Sequence, residues 1–188
     1  ARVTDEHQLY TLAVTQAAEA HAAHLGDAYN INTGNVSLTG NGKDYSLLYV
    51  KNNEDRDLFI AAIAVGTGEG QVRDSMEVKV ISDPTAGDTV TNASPVSMSG
   101  NRNFGSSNTL EDSLIYKGAG GNDEQFSDGS EVLLLYTRPS SRLFANINMI
   151  VPKGKSIGIT LNPELSSGNT MKAYASLVCF LCDDVSIT

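Results

Sequence analysis

The sequence predicts a mainly β fold: an antiparallel β-sandwich preceded by one N-terminal helix. Three observations carry this. About ten short runs, apolar or alternating, are separated by Gly, Asn and Pro turn chemistry, the spacing of a two-sheet sandwich. Seventeen glycines and no tryptophan fit a turn-rich β-protein. All three histidines, His7, His21 and His24, fall in the one stretch that reads as a helix, which leaves the strands without any.

The helix is predicted over residues 4–25. Thr4 or Asp5 supplies an N-cap, Asp5 and Glu6 suit the positive end, and Gly26 stops it. Leu9, Ala13, Gln16, Ala20 and Ala23 follow a four-three spacing, with Leu12 and Ala17 beside them. This stripe is rich in small residues and buries little area, so a partner or a symmetry mate is expected to cover it. Domain boundaries follow: an arm over 1–30 and a sandwich over 31–188.

After Gly26 the period changes to that of strands. Val36–Thr39 and Tyr45–Val50 flank Gly40-Asn41-Gly42-Lys43, a hairpin signal. Leu58–Val65 is nearly continuous in apolar residues and predicts a central strand. Met76, Val78 and Val80 alternate with Glu77 and Lys79, and that run ends before Asp83-Pro84. Thr89–Thr91 and Val96–Met98 read as short edge pieces. Leu110–Tyr116, Val132–Thr137, Leu143–Ile150, Ser156–Leu161 and Lys172–Leu181 complete the set. With no helical crossovers between them, antiparallel pairing follows. The expected core includes Leu48, Val50, Phe59, Ile63, Leu134, Ile147, Ile159 and Val178. Stretches 82–109 and 117–130 read as surface loops, where binding most readily resides.

Composition narrows the function classes. A formal net charge of −9 and a pI near 4.7 supply no general basic field for nucleic acid. No apolar run reaches membrane-spanning length. An Ala1 start fits loss of an initiator methionine, so the expectation is a non-membrane protein made inside a cell.

A strand domain without histidine lacks the usual general base near neutral pH and the commonest metal ligand. Accordingly no catalytic, cofactor-binding or metal-ligating residue is assigned, no cofactor is expected, and the protein is read as not an enzyme. Cys179 and Cys182 form a CxxC spacing inside an apolar strand, where i and i+3 point to opposite faces about 10 Å apart. Buried thiols are the favoured reading, with metal held between subunits as the minor alternative. His21 and His24 stand at i, i+3, with Asp27 the one nearby third ligand; solvated or interface histidines are favoured.

Gly66-Thr67-Gly68-Glu69-Gly70 lacks phosphate-loop spacing and reads as a flexible strand connection. Residues 122–129 are acidic, but aligning Gly129 with the EF-hand glycine puts Phe126 and Leu135 at ligand positions. A solvated loop is favoured there, with an irregular calcium loop as the alternative. Glu54, Asp55 and Asp57 around Arg56 read as a turn with local ion pairs. Asn35-Val36-Ser37 and Asn92-Ala93-Ser94 match glycosylation sequons, which carry no meaning without a secretory signal. No GxSxG elbow occurs.

Tyr49-Val50-Lys51-Asn52-Asn53 leads through a polar connection into Leu58-Phe59-Ile60. Asn101-Arg102-Asn103-Phe104-Gly105-Ser106-Ser107 follows later, and Val151-Pro152-Lys153-Gly154-Lys155-Ser156-Ile157-Gly158-Ile159 precedes the final long strand. In this pattern, over roughly residues 30–182, the chain resembles jelly-roll-like β-sandwich structural proteins of tailed bacteriophages. The resemblance implies a virion component made in the host cytoplasm, most readily a capsid decoration (cement) protein bound to the major capsid protein or another virion protein. The small-residue stripe points to a homo-oligomer, for which the resemblance implies a trimer, and charge and apolar-run length argue against a nucleic-acid or membrane partner. A tail, baseplate or head-fibre part is the alternative within that class. A carbohydrate-binding sandwich is the alternative outside it, disfavoured by the 6% aromatic content.

Overall fold

The computed structural model describes residues 2–3, 9–10, 17–40, 44–68, 75–85, 99–118, 126, 128–163, 165 and 168–182. Among these, the elements in chain order are β1 (Arg2–Val3), β2 (Leu9–Tyr10), α1 (Ala18–Leu25), β3 (Ala28–Asn32), β4 (Val36–Thr39), β5 (Tyr45–Lys51), β6 (Asp57–Thr67), β7 (Met76–Ser82), β8 (Ser99–Asn101), β9 (Leu114–Lys117), β10 (Ser130–Thr137), β11 (Arg142–Val151), β12 (Ser156–Asn162) and β13 (Thr170–Cys182). The fold is mainly β: two antiparallel sheets packed as a sandwich, with one helix near the N-terminus.

One sheet has the order β10-β7-β12-β5-β9 and the other β11-β6-β13-β3-β8. Strand β4 extends the β3 row along β13, so Val36 faces Ala173 while Ile31 faces Leu177. Thr33 bridges the gap between them. Its hydroxyl accepts from the Ala175 N–H at 2.9 Å, standing in for the missing ladder partner.

Alternation places the core. On β13, Ala173, Ala175, Leu177, Cys179 and Leu181 point inward and are buried, packing on Ile31, Ile60, Ile63, Val65, Val78 and Ile159. The expected core residues Leu48, Val50, Ile63 and Ile159 are buried in it, and Ile147 packs against it partly covered. Leu134 does not belong there. It lies on the outer face of β10, 38% exposed, while Leu133 and Leu135 point in. Five apolar residues in a row, Val132–Tyr136, leave parity open in the sequence. Phe59 and Val178 also lie on the outer face. Phe59 stacks on Phe180 at 4.8 Å in a separate cluster with Ala22 and Ala28.

The helix spans Ala18–Leu25 instead of 4–25. Ala17 is its N-cap, and Leu9 and Tyr10 pair as β2 with Val3 and Arg2. Thr4 and Asp5, the expected caps, lie outside the described residues. Gly26 ends the helix as expected, at φ 82°, with Gly26 and Asp27 N–H groups on the Ala23 and Ala22 carbonyls. A helix of small side chains persists only where a surface receives it. That surface is the protein's own sheet: Ala22 and Ala23 pack on Phe180 and Ala28, whereas Ala17 and Ala20 are exposed. For residues 18–25, no external cover is required.

The Gly40–Lys43 hairpin is not formed. β4 pairs with β13 in one sheet and β5 with β12 and β9 in the other. The connection crosses between sheets, and Gly40 N–H donates to the Asn169 carbonyl at 2.7 Å. β5 is buried on both faces through Val50, so a central position suits it better than a hairpin with the half-exposed β4.

Gly66 and Thr67 are likewise no flexible connection. They continue β6, where Gly66 faces Arg142 and Tyr174 and Thr67 faces Ala173, while Glu69 and Gly70 lie outside the described residues. A Cβ on Gly66 would sit 2.1 Å from the Tyr174 ring, which lies over the glycine. The edge pieces expected at 89–91 and 96–98 lie outside the described residues; β8 lies within the stretch read as the 82–109 loop.

Candidate functional site

The register brings one set of connections to a common end of the sandwich: 52–56, 102–113, 152–155 and the α1–β3 corner. Lys51 faces Leu114, Tyr29 faces Asn101, and Asp57 faces Cys182. Between them lies a polar hollow of about 510 Å³, lined among others by Asp27, Glu54, Asp55, Arg56, Asn108 and Glu111.

Asp27, Glu54 and Asp55 each have a structural partner. Asp27 is nearly buried and takes the Arg56 guanidinium at 2.8 Å. Arg56 therefore pairs across 29 residues, not with Asp55 or Asp57 in its own turn, which corrects the expected local ion pairs. Asp55 pairs with Lys153, whose hydrogen bond and charge hold the carboxyl below its usual range. Glu54 accepts from the Asp112 N–H, the Ser113 N–H and the Ser113 hydroxyl at 3.2, 3.0 and 2.9 Å, clasping the start of β9. Asn52, fully buried, ties the turn together by donating to the Arg56 and Val151 carbonyls at 2.9 and 2.8 Å.

Burial and the nearby Asp27 charge push the Tyr29 phenol up to about 12. Asp27 is thus committed to Arg56, while His21 and His24 face solvent. The Asp27, Glu54 and Asp55 side chains brace the loops around the hollow.

The 102–108 loop at the rim of this hollow is built for rigidity. The Asn101 amide donates to the Gly26 and Asn108 carbonyls at 2.6 and 3.0 Å, and its oxygen accepts from the Asn103 N–H. Asn103 in turn donates to the His24 carbonyl and accepts from Gly105 N–H. Arg102 pairs with Glu19 of α1. On this frame Phe104 stands wholly in solvent, 101% exposed. The Asn-rich spacing signals the turns, but nothing local in the sequence marks the ring as uncovered.

A second exposed region was missed. Strands β10 and β11 are the edges of their respective sheets on the same side, joined by the 138–141 turn. Their outward side chains include Val132, Leu134, Tyr136, Phe144 and Ile150, at 38 to 57% exposure. Their inward residues, Leu133, Leu135, Leu143, Ala145, Ile147 and Met149, are only partly covered. An apolar recess of about 200 Å³ opens near Val132, Met149, Ile150 and Ile157. The sequence signals apolar strands here; edge position is a tertiary property.

The remaining candidates serve packing. Cys179 points into the core, where burial pushes its thiol up to about 12, and Cys182 points outward with its thiol on the Asp57 carbonyl at 3.5 Å. In the acidic stretch, Phe126 is buried over Tyr49, with ring centroids 6.0 Å apart. Asp128 accepts from the Thr85 N–H and hydroxyl at 2.8 and 2.6 Å, which holds its carboxyl below the usual range. Residues 122–125 and 127 lie outside the described set. No protein-family model matches the chain, and no curated protein is similar to it.

Proposed function

We propose that the protein is a non-enzymatic structural component of a virion, a capsid decoration protein that docks on the viral shell and stabilises it as a homo-oligomer. The observation that carries this reading is the apolar side of the sandwich at β10 and β11. Proteins that work alone cover or charge such strands, and an assembly protein uses them. The braced loop presenting Phe104 adds a second contact element, because a pre-ordered aromatic loses little entropy on docking. Many modest contacts of this kind gain strength on a repeating lattice. The acidic balance favours docking to a complementary patch. The engagement of Asp27, Glu54 and Asp55 in loop bracing also favours a structural role over acid–base chemistry.

The test is retention on particles. Purified protein is mixed with emptied capsids, and separately with isolated tails, of the virus that encodes it, then sedimented. Retention on capsids with saturation supports decoration, and retention only on tails moves the assignment to a tail or baseplate part. If neither binds at micromolar protein, the virion reading is overturned.

A further inference from the structure

We infer that the β10–β11 side of the sandwich is a self-association surface, taking a second copy of this chain edge to edge across a two-fold axis perpendicular to the sheets. The inference deepens the proposed function and rests on the same wall: a second copy, and not the shell, covers β10 and β11, which leaves the Phe104 loop for the shell.

Backbone chemistry favours a strand as occupant. Among the described residues, β10 and β11 each pair with one neighbour, β7 and β6, which leaves the other edge of each strand open to a further strand. The bulges at Glu131/Leu133 and Asn146/Met149 leave Leu133–Thr137 and Arg142–Asn146 as the regular stretches, at the end nearest the 138–141 turn.

Charge selects the copy and its direction. The turn end of this edge carries Arg138 and Arg142, and neither forms an ion pair among the described residues. The opposite end carries Glu131, which Lys79 reaches only at 3.9 Å while holding Asp44 at 2.8 Å. Antiparallel pairing of β10 with its copy over this regular stretch, about Leu135, sets Leu133 against Thr137 and Leu134 against Tyr136. It also brings Arg138 beside Glu131 of the copy, twice per dimer. A parallel arrangement would place like charges together. An isologous contact of this kind is self-complementary and closed.

The test is sedimentation velocity with light scattering on the isolated full chain across about 1–100 µM. The variants are Leu134→Lys, Glu131→Arg, Arg138→Glu and the double reversal E131R/R138E, each checked for folding by circular dichroism. We expect a species of twice the 19.9 kDa chain mass. Leu134→Lys should abolish it, and either single reversal should weaken it about ten-fold. The double reversal should restore it to within about three-fold of the wild type.

Recovery in the double reversal is the readout that a merely structural role would not give, and the exposed charge variants keep the test valid if Leu134→Lys misfolds. A monomer throughout, a trimer indifferent to these changes, or a double reversal no better than the singles would each overturn the inference. Capsid retention is measured separately on particles, so failure of one proposal is distinguishable from failure of the other.

Discussion

The two side walls of the sandwich solve the same problem in opposite ways. At one, β8 and β9 are only three and four residues long, and the 102–113 connection closes over them with hydrogen bonds to α1 and the 52–56 turn. Leu110 and Ile115 are buried there. At the other, β10 and β11 run for eight and ten residues, keep apolar side chains outward and leave their inward ones half covered. Short strands and braced loops are a common protection for a sheet edge. Their use at one wall shows that this chain can finish an edge. The unfinished wall is therefore a property of the sequence, not a limit of the fold.

Substitutions can break that contrast. The largest effect is expected from Asn101→Ala, which removes donations to the Gly26 and Asn108 carbonyls and the acceptor for Asn103 N–H. A loss of about 1–3 kcal/mol in urea unfolding should follow, with faster amide exchange confined to 102–108. Uniform exchange throughout the sandwich would show that the loop does not close that wall.

Alkaline titration comes next. Tyr29 and Cys179 face each other across β3 and β13 beside the closed wall, and both are pushed up to about 12. Their neutral forms are favoured in the folded state, so the folded state holds more protons than the unfolded one above the ordinary values. Stability should then fall as pH rises from about 9 toward 12, with amides near β3 exposed before those of β10. Cys179 should resist thiol reagents at pH 8 until unfolding, while the half-buried Cys182 reacts first. Early exposure of β10 would reverse the assignment.

A smaller effect belongs to Asp27→Asn. It weakens the Arg56 pair, and because Arg56 is one-third exposed the cost should be about 1 kcal/mol. The smallest is expected at the open wall. Phe144→Lys, measured where the chain is monomeric, should change stability by less than about 0.5 kcal/mol, since the ring is 57% exposed. A large loss there would mean that the ring packs within the monomer.

What was legible in the sequence follows the range of each signal. β6, β7, β11, β12 and β13 could be read because burial alternation or continuity is written locally. The Asn-Gly turn says nothing about which sheet receives the next strand. Five consecutive apolar residues carry no parity, so the face of Leu134 is not written locally. Alanine favours helix over a longer stretch than α1 occupies, and among the described residues Ala22 and Ala23 are the alanines of the helix that pack on the sheet. At the candidate site, the Asp-rich turn was visible, but Arg56 meeting Asp27 depends on a 29-residue closure. Phe104 and the open wall depend on what fails to cover them, which no local pattern records.

Strand β13 is made after every other strand described here, yet it lies inside its sheet between β6 and β3. Until the ribosome has released it, β6 has β11 on one side and a gap on the other, and β3 and β4 have no central row to join. A growing chain must therefore wait, with its apolar strands undocked, for residues 170–182. Contacts so distant in sequence make for slow folding and a long exposure to aggregation. The yield of native protein should depend on growth temperature and on chaperone supply during synthesis more steeply than its finished stability would indicate.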